Sequence, residues 1–374
     1  MNIGVITVWN DWLSTNYGSL LQCYALQLYL KQQGHDPYLI SRGHWGDTCR
    51  PAAKKLWSTG LLYHPHRTIA EYLNYKKHKK RHRKKLNTFI DFISKNIRTS
   101  LLFENNEQLA SNPPEADLFI CGSDQVWTEV NPVVFLNFAG NTPRFSYAAG
   151  GEFHNSPTWK EAAASFLPKF RAVSVREEEG QIACKTLGFD AELVIDPVML
   201  LQPDDYCSIM PDSNPGEAKY LLLYVLNSGP EDAKWYDYVY AYAEEHQLKV
   251  RIVAEQGADL YMPWHLMETP APGEFIRLFK EAECIVTNSY HGTLFSLLFE
   301  KPFAVRLQNQ QKTQQNNRFY TILKRTNQLH RICNNATQLT TLLKQASHEA
   351  GPHIYQWRRA SRVFLHANLK DTAC

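Results

Sequence analysis

One stretch, Cys284 to Phe303 (CIVTNSYHGTLFSLLFEKPF), constrains this chain more than any other. Cys284 to Thr287 is short, apolar and β-branched, the pattern of a strand buried in a parallel sheet. From Thr293 to Glu300 the apolar residues Leu294, Phe295, Leu297, Leu298 and Phe299 predict a buried helix. Asn288-Ser289-Tyr290-His291-Gly292 lies between them as a polar turn. An imidazole is thus expected at the carboxyl end of a strand, where open α/β sheets bind their ligands. The N–H groups that open the helix favour an anion there. Gly292 is expected to let the backbone approach a ligand closely. The alternative is local: Ser289 or Asn288 caps the helix and His291 hydrogen-bonds nearby.

The same strand–turn–helix unit recurs along the chain. Ile3 to Val8 reads as a strand, Ser19 to Gln33 as a helix stopped by Gly34, and Tyr38 to Ile40 as the next strand. The turn between the first strand and helix carries Asn16, Tyr17, Gly18 and Gln22 but neither a Walker A loop nor G-x-G-x-x-G. Ala116 to Cys121 ends in Gly122-Ser123-Asp124-Gln125, and Arg144 to Ala149 ends in two glycines. Trp159 to Phe170 is expected to be helical. Ala172 to Val175 runs into Arg176, whose planar fork suits a carboxylate or phosphate. Glu177, Glu178 and Glu179 suit the dipole of the helix that follows. Leu193 to Pro197 is a further strand end. Gln202 to Ala218, rich in Pro, Asp and Ser, reads as a linker. Beyond it come Tyr220–Leu226, Asp232–His246, Lys249–Val253 and Pro272–Glu283 as strand, helix, strand and helix, leading into the opening motif.

This alternation predicts an α/β chain of two Rossmann-like domains facing a cleft. Residues 1–201 form the first, with a basic helical insertion at about 50–94; 202–218 link it to 219–374, whose last helix crosses back. A chain of 374 residues, 44% hydrophobic, can bury cores of that size. Lys76 to Lys85 (KKHKKRHRKK) holds only Lys, Arg and His. It interleaves no stacking aromatics, and with a net charge of only +3 no nucleic-acid partner is expected. It reads as the solvated start of an amphipathic helix, with peripheral contact to anionic lipid as the alternative. Gln308 to Asn317, with Lys312 and then Arg318, is a long polar segment suited to a binding loop. Eight scattered cysteines lack C-x-x-C spacing, so free thiols in a cytoplasmic protein and no metal site are expected.

Four segments together resemble the polysaccharide pyruvyl transferase family: Asn16–Gln27 (NYGSLLQCYALQ), Phe119–Trp127 (FICGSDQVW), Ser174–Gly180 (SVREEEG) and Thr287–Phe303. The resemblance runs from the first strand to about Arg331. It implies a fold similar to GT-B glycosyltransferases and transfer of an enolpyruvyl unit from phosphoenolpyruvate to a glycan or lipid-linked sugar as a cyclic ketal, without a cofactor. By its motifs, His291 is the implied acid–base residue, and Arg176 with Lys312 or Arg318 the implied donor-binding cations. Ser289 and Gly292 flank the histidine; Asn16, Tyr17, Gly18, Gln22, Ser123 and Gln125 would line the acceptor side. Asp124 binds a sugar hydroxyl, acts as the base or caps the helix that follows. The ketal-forming branch commonly carries Arg-Leu before the histidine, whereas this chain carries Ser289-Tyr290, the S-[FY]-H-G form. A nucleotide-sugar glycosyltransferase and a non-catalytic glycan-assembly protein stay open as alternatives.

Overall fold

The computed structural model describes residues 1–9, 15–42, 65–128, 130–153, 156–212, 218–228, 232–256, 258–260, 262–308 and 313–370. Side chains at 65–79, 233–234, 260 and 313–315 are outside that description.

The first half is built on parallel strands β1 (Asn2–Ile6), β2 (Asp36–Leu39), β3 (Leu118–Cys121) and β4 (Arg144–Ser146), in the order β2-β1-β3-β4. Strands β5 (Val173–Val175) and β6 (Ala191–Leu193) pair in parallel, and bridges Phe145↔Ala172 and Ala149↔Val175 lay β5 beside β4. The second half has β7 (Tyr220–Leu226), β8 (Lys249–Glu255), β9 (Cys284–Thr287) and β10 (Phe303–Val305), all parallel, ordered β10-β9-β7-β8. Every residue of β7 and β9 is buried, because helices cover both faces of a parallel sheet.

The helices are α1 (Tyr17–Gln32), α2 (Pro65–Asn96), α3 (Asn106–Ser111), α4 (Pro157–Phe166), α5 (Glu178–Thr186) and α6 (Pro197–Leu200) in the first half. Then come α7 (Ala233–Glu245), α8 (Pro272–Glu281), α9 (Tyr290–Leu298), α10 (Thr313–Arg325), α11 (Ala336–Leu342) and α12 (Gly351–Lys370). Helix α1 is apolar nearly all round, so thirteen of its sixteen residues are buried. Helix α4 stops at Phe166, four residues short of the expected end, because Pro168 cannot continue it.

Three expectations change. Helix α9 begins at Tyr290, so His291 is the second residue of a helix rather than part of a turn. The segment expected to be a linker opens as a 3-10 helix, Pro203–Ile209, whose Tyr206 is fully buried between Tyr24 and Phe295. Helix α2 does carry the basic run, with Lys80, His82, Arg83 and Lys84 exposed. Lys85, however, is buried: its ammonium pairs with Glu255 of β8 and lies 4.2 Å from the Tyr17 ring centroid. Helix α12 returns to the first half. There Trp357 Nε1 donates to Leu193 O, Ser361 Oγ accepts from Ile195 N, and Arg358 and Arg362 donate to Met199 O and Leu200 O.

Candidate active site

The carboxyl ends of the two sheets meet, and the meeting point is a buried polar cluster. From the first half, β3 delivers Ser123 and Asp124, β5 delivers Arg176 and Glu177, and β6 delivers Asp196, two residues beyond Val194. From the second half, β9 delivers Asn288 to His291, and α10 brings Arg318. Asn288 fixes the end of β9 against that of β7: its side chain accepts from Leu226 N and donates to Leu226 O, both at 2.7 Å. Ser289 caps α9 by accepting from Gly292 N.

Arg176 is the hub. Its side chain is fully buried, with Nε on Glu177 at 2.8 Å, one terminal nitrogen on Asp196 at 3.0 Å and the other on Asp124 at 3.0 Å. A guanidinium committed to three carboxylates is not free to hold a donor anion, which corrects the role its motif implies. The Tyr290 ring lies 4.7 Å from it, and Arg318 lies 5.6 Å from the centroid of the same ring. Arg318 Nε is buried with no hydrogen-bond partner among the described residues. Burial and the neighbouring Arg176 both push the Arg318 pKa down, so this cation gains from an added anion. Arg318 sits inside helix α10, not after a loop; Lys312 lies outside the described residues.

His291 Nε2 is buried without a hydrogen-bond partner among the described residues, 3.7 Å from Asp196 Oδ2. That is too long for a hydrogen bond but close for an ion contact. The other edge of the ring rests on Gly18: a β-carbon built there would stand 2.2 Å from Nδ1. Asn16 caps α1, accepting from Ser19 N, so two helix N-termini converge on the imidazole. Asp124 does not cap a helix. Its backbone is left-handed (φ 57°) and its carboxylate accepts from Ser19 Oγ at 2.7 Å. Burial opposes its charge, but Arg176, His291, the Ser19 hydroxyl and Arg318 together bring its pKa down to about 2. A carboxylate so weakly basic is an electrostatic and orienting group, not a general base at neutral pH. Asp196 is also lowered: burial raises it, and His291, Arg176 and the Val198 amide outweigh that. Glu177 goes the other way, raised by burial despite Arg176.

Other expected site residues fall around this centre. Ser123 is buried, its hydroxyl 3.4 Å from Asp196. Gln125 is half-buried at the edge. Tyr17 stacks on Phe275 at 4.1 Å and donates to Pro270 O, and Gln22 donates to Thr7 Oγ1; both serve packing between elements. Gly292 faces Thr287 and Tyr224 inside its own half, where a β-carbon would come within 2.4 Å of Thr287 Oγ1. Its missing side chain admits the helix onto the sheet rather than a ligand. Glu178 and Glu179 tie α5 to α10 through Lys324 and Asn317. Asp196 and Ser19 escaped the sequence reading, which gave Glu177 only a helix-dipole role; Asp196 had one signal, an acid at the strand end in LVIDP.

Among solved structures the chain is similar to UDP-GlcNAc 2-epimerases. That of Neisseria meningitidis bound to UDP-GlcNAc has TM-score 0.57 and 10% identity, with 99% of this chain and 100% of that chain covered. The Rickettsia bellii enzyme has TM-score 0.55 and 12% identity over 100% and 97%. The Methanocaldococcus jannaschii enzyme in complex with UDP-GlcNAc and UDP has 0.52 and 11% over 98% and 100%. At such identities the likeness establishes the fold alone, a GT-B-like α/β architecture. No curated protein matches the chain. The family model described as polysaccharide pyruvyl transferase matches residues 16–306, from the cap of α1 through β10 and so across both sheets. The chain therefore belongs to the polysaccharide pyruvyl transferase family and is a transferase.

Proposed function

We propose that this transferase moves the enolpyruvyl unit of phosphoenolpyruvate onto two hydroxyls of a surface-glycan precursor, closing a cyclic ketal and releasing phosphate. The observation that carries this reading is the assembly of His291 from one half with Asp124 and Asp196 from the other, beside Arg318, whose Nε has no hydrogen-bond partner among the described residues. In the reaction the methylene carbon gains a proton, each hydroxyl oxygen bonds to the adjacent carbon, and the phosphate leaves with its C–O electron pair. One hydroxyl proton replaces the one given to carbon, and the other departs with phosphate. His291 is the acid–base group. Arg318, with Lys312, holds the donor anions, helped by the N-termini of α1 and α9. Asp124, Ser123, Gln125 and Asn16 face the acceptor. The reaction so written uses no metal or cofactor.

Residues 1–201 and 219–374 are taken as the two domains, joined through 202–218, in a cytoplasmic enzyme. A lipid-linked acceptor would bring the exposed Lys80, His82, Arg83 and Lys84 to an anionic membrane face. No described helix is long and apolar enough to cross a membrane.

Phosphate release from phosphoenolpyruvate in the presence of sugar acceptors tests the reading, with the ketal identified by mass. His291→Gln should lose about 10²–10⁴-fold in rate. Arg318→Ala should raise the KM for phosphoenolpyruvate by about tenfold or more, the loss of one charge-assisted contact. Release of nucleoside diphosphate from a nucleotide sugar, with none of phosphate, would replace this reading by glycosyl transfer.

A further inference from the structure

Asp196 lies where β6 ends, at the N-cap of the short helix α6, with its side chain wholly buried. Oδ1 accepts from Val198 N at 3.0 Å. Oδ2 accepts from Arg176 at 3.0 Å and from Ser123 Oγ at 3.4 Å, and it faces His291 Nε2 at 3.7 Å. Of the carboxylates among the described residues, Asp196 alone lies within 4.0 Å of a nitrogen of that ring. Asp124 turns its two oxygens to Arg176 and Ser19 instead. A buried ring nitrogen with no hydrogen-bond partner among the described residues thus faces a buried, ionised acceptor at 3.7 Å, about 0.5 Å beyond the usual hydrogen-bond range. The two groups come from opposite halves, so a small further approach of the halves completes the bond. Catalytic hydrogen bonds commonly tighten in this way once substrate is bound.

We propose that Asp196 is the positioning residue for His291: it holds the Nε2 proton and leaves Nδ1, on the Gly18 side, to exchange a proton with the substrate. This rests on the pyruvyl-transfer reading. The imidazolium gives its Nδ1 proton to the methylene carbon of the donor. Nδ1 then takes a proton from one sugar hydroxyl as that oxygen bonds to the adjacent carbon, while Nε2–H stays on Asp196 throughout. The second hydroxyl proton leaves with phosphate. Besides Asp196, Asp124 interacts with the ring from the first half; Arg176 and, from α10, Arg318 lie against the ring of its neighbour Tyr290. Lowering of the Asp196 pKa by His291, Arg176 and the Val198 amide, against burial, keeps this acceptor ionised.

Nitrogen NMR of wild-type protein labelled at histidine tests this without any turnover, with the His291 signals identified by their loss in His291→Gln. The neutral ring should be the Nε2–H tautomer; an Nδ1–H tautomer overturns the proposal. Asp196→Asn keeps a capping side chain but removes the charge. It should lower kcat by at least about 10²-fold while the KM for phosphoenolpyruvate changes less than about threefold. An unchanged kcat in a folded variant overturns the proposal. If Asp196→Asn does not fold, the wild-type tautomer decides. If wild-type protein releases no phosphate from phosphoenolpyruvate, pyruvyl transfer fails as a reading, and the tautomer still judges Asp196.

Discussion

Gly18→Ala puts one methyl group into the tightest contact of the site. The new β-carbon would lie 2.2 Å from His291 Nδ1, 2.6 Å from Cγ and 2.9 Å from Cβ, whereas ordinary contact begins at 3.4 Å. The nearest ring atom must therefore retreat by about 1.2 Å, the difference between 3.4 and 2.2 Å. His291 cannot yield through its backbone, because it stands in the first turn of α9, which Ser289 caps. The ring must rotate, and its 3.7 Å relation to Asp196 changes with it. A misplacement of about 1 Å costs on the order of 10² in rate. Stability moves much less. Alanine gains at most about 1 kcal/mol of helix propensity, while overpacking costs about 1–3 kcal/mol, leaving a net loss of about 0–2 kcal/mol. Phosphate release from phosphoenolpyruvate gives the rate, and thermal unfolding the stability. Wild-type kcat in Gly18→Ala would refute the claim that the α1–α9 contact sets the position of the imidazole.

Arg176→Lys should destabilise the fold by about 3–5 kcal/mol, because one ammonium cannot pair with three buried carboxylates; urea unfolding measures it. A raised donor KM at unchanged stability would instead return Arg176 to the anion site. Lys85→Met should cost about 3–5 kcal/mol by leaving Glu255 buried with the Tyr224 hydroxyl but no cation, seen as a lowered Tm. Asp124 is held at about 2 against 3.8 for a free carboxyl, so it contributes roughly 2 kcal/mol of stability. With the folded value depressed, that stability is present above about pH 4 and lost as pH falls through about 2. Asp124→Asn should flatten the acid-unfolding curve in that window, and an unchanged slope there would count against its ion pairs.

How much of this was legible in the sequence depends on whether the signal was local. Strands Tyr220–Leu226 and Cys284–Thr287 were readable to the residue, since an unbroken apolar run bounded by polar turns has few other structures. The strand ends carrying Asp124, Arg176 and His291 were readable for the same reason. What those residues touch was not. Arg176 meets Asp124 from 52 positions away and Asp196 from 20, and no periodicity records such pairings. Lys85 looked like the last member of a solvated basic run; its partner Glu255, 170 residues on, is what draws it inside. Gly292 and Gly18 each admit a neighbour that the sequence does not reveal. A glycine's purpose depends on the neighbour it admits: Thr287 and Tyr224 for the first, the imidazole for the second.

On the proposed reaction, the charge arrangement divides the site between two substrates. Around Arg176 stand Asp124, Glu177 and Asp196, so this side offers more negative than positive charge. Phosphoenolpyruvate, anionic at both ends, is repelled from it; a neutral sugar is not, and its hydroxyls find acceptors there. Across the Tyr290 ring, Arg318 holds its charge under burial and beside a second guanidinium, with no hydrogen-bond partner on Nε among the described residues. An anion placed there relieves both penalties at once. On the proposed reaction, the donor therefore takes the α10 side and the acceptor the carboxylate side, and the two meet at Nδ1 of the imidazole, which belongs to the half that carries the donor.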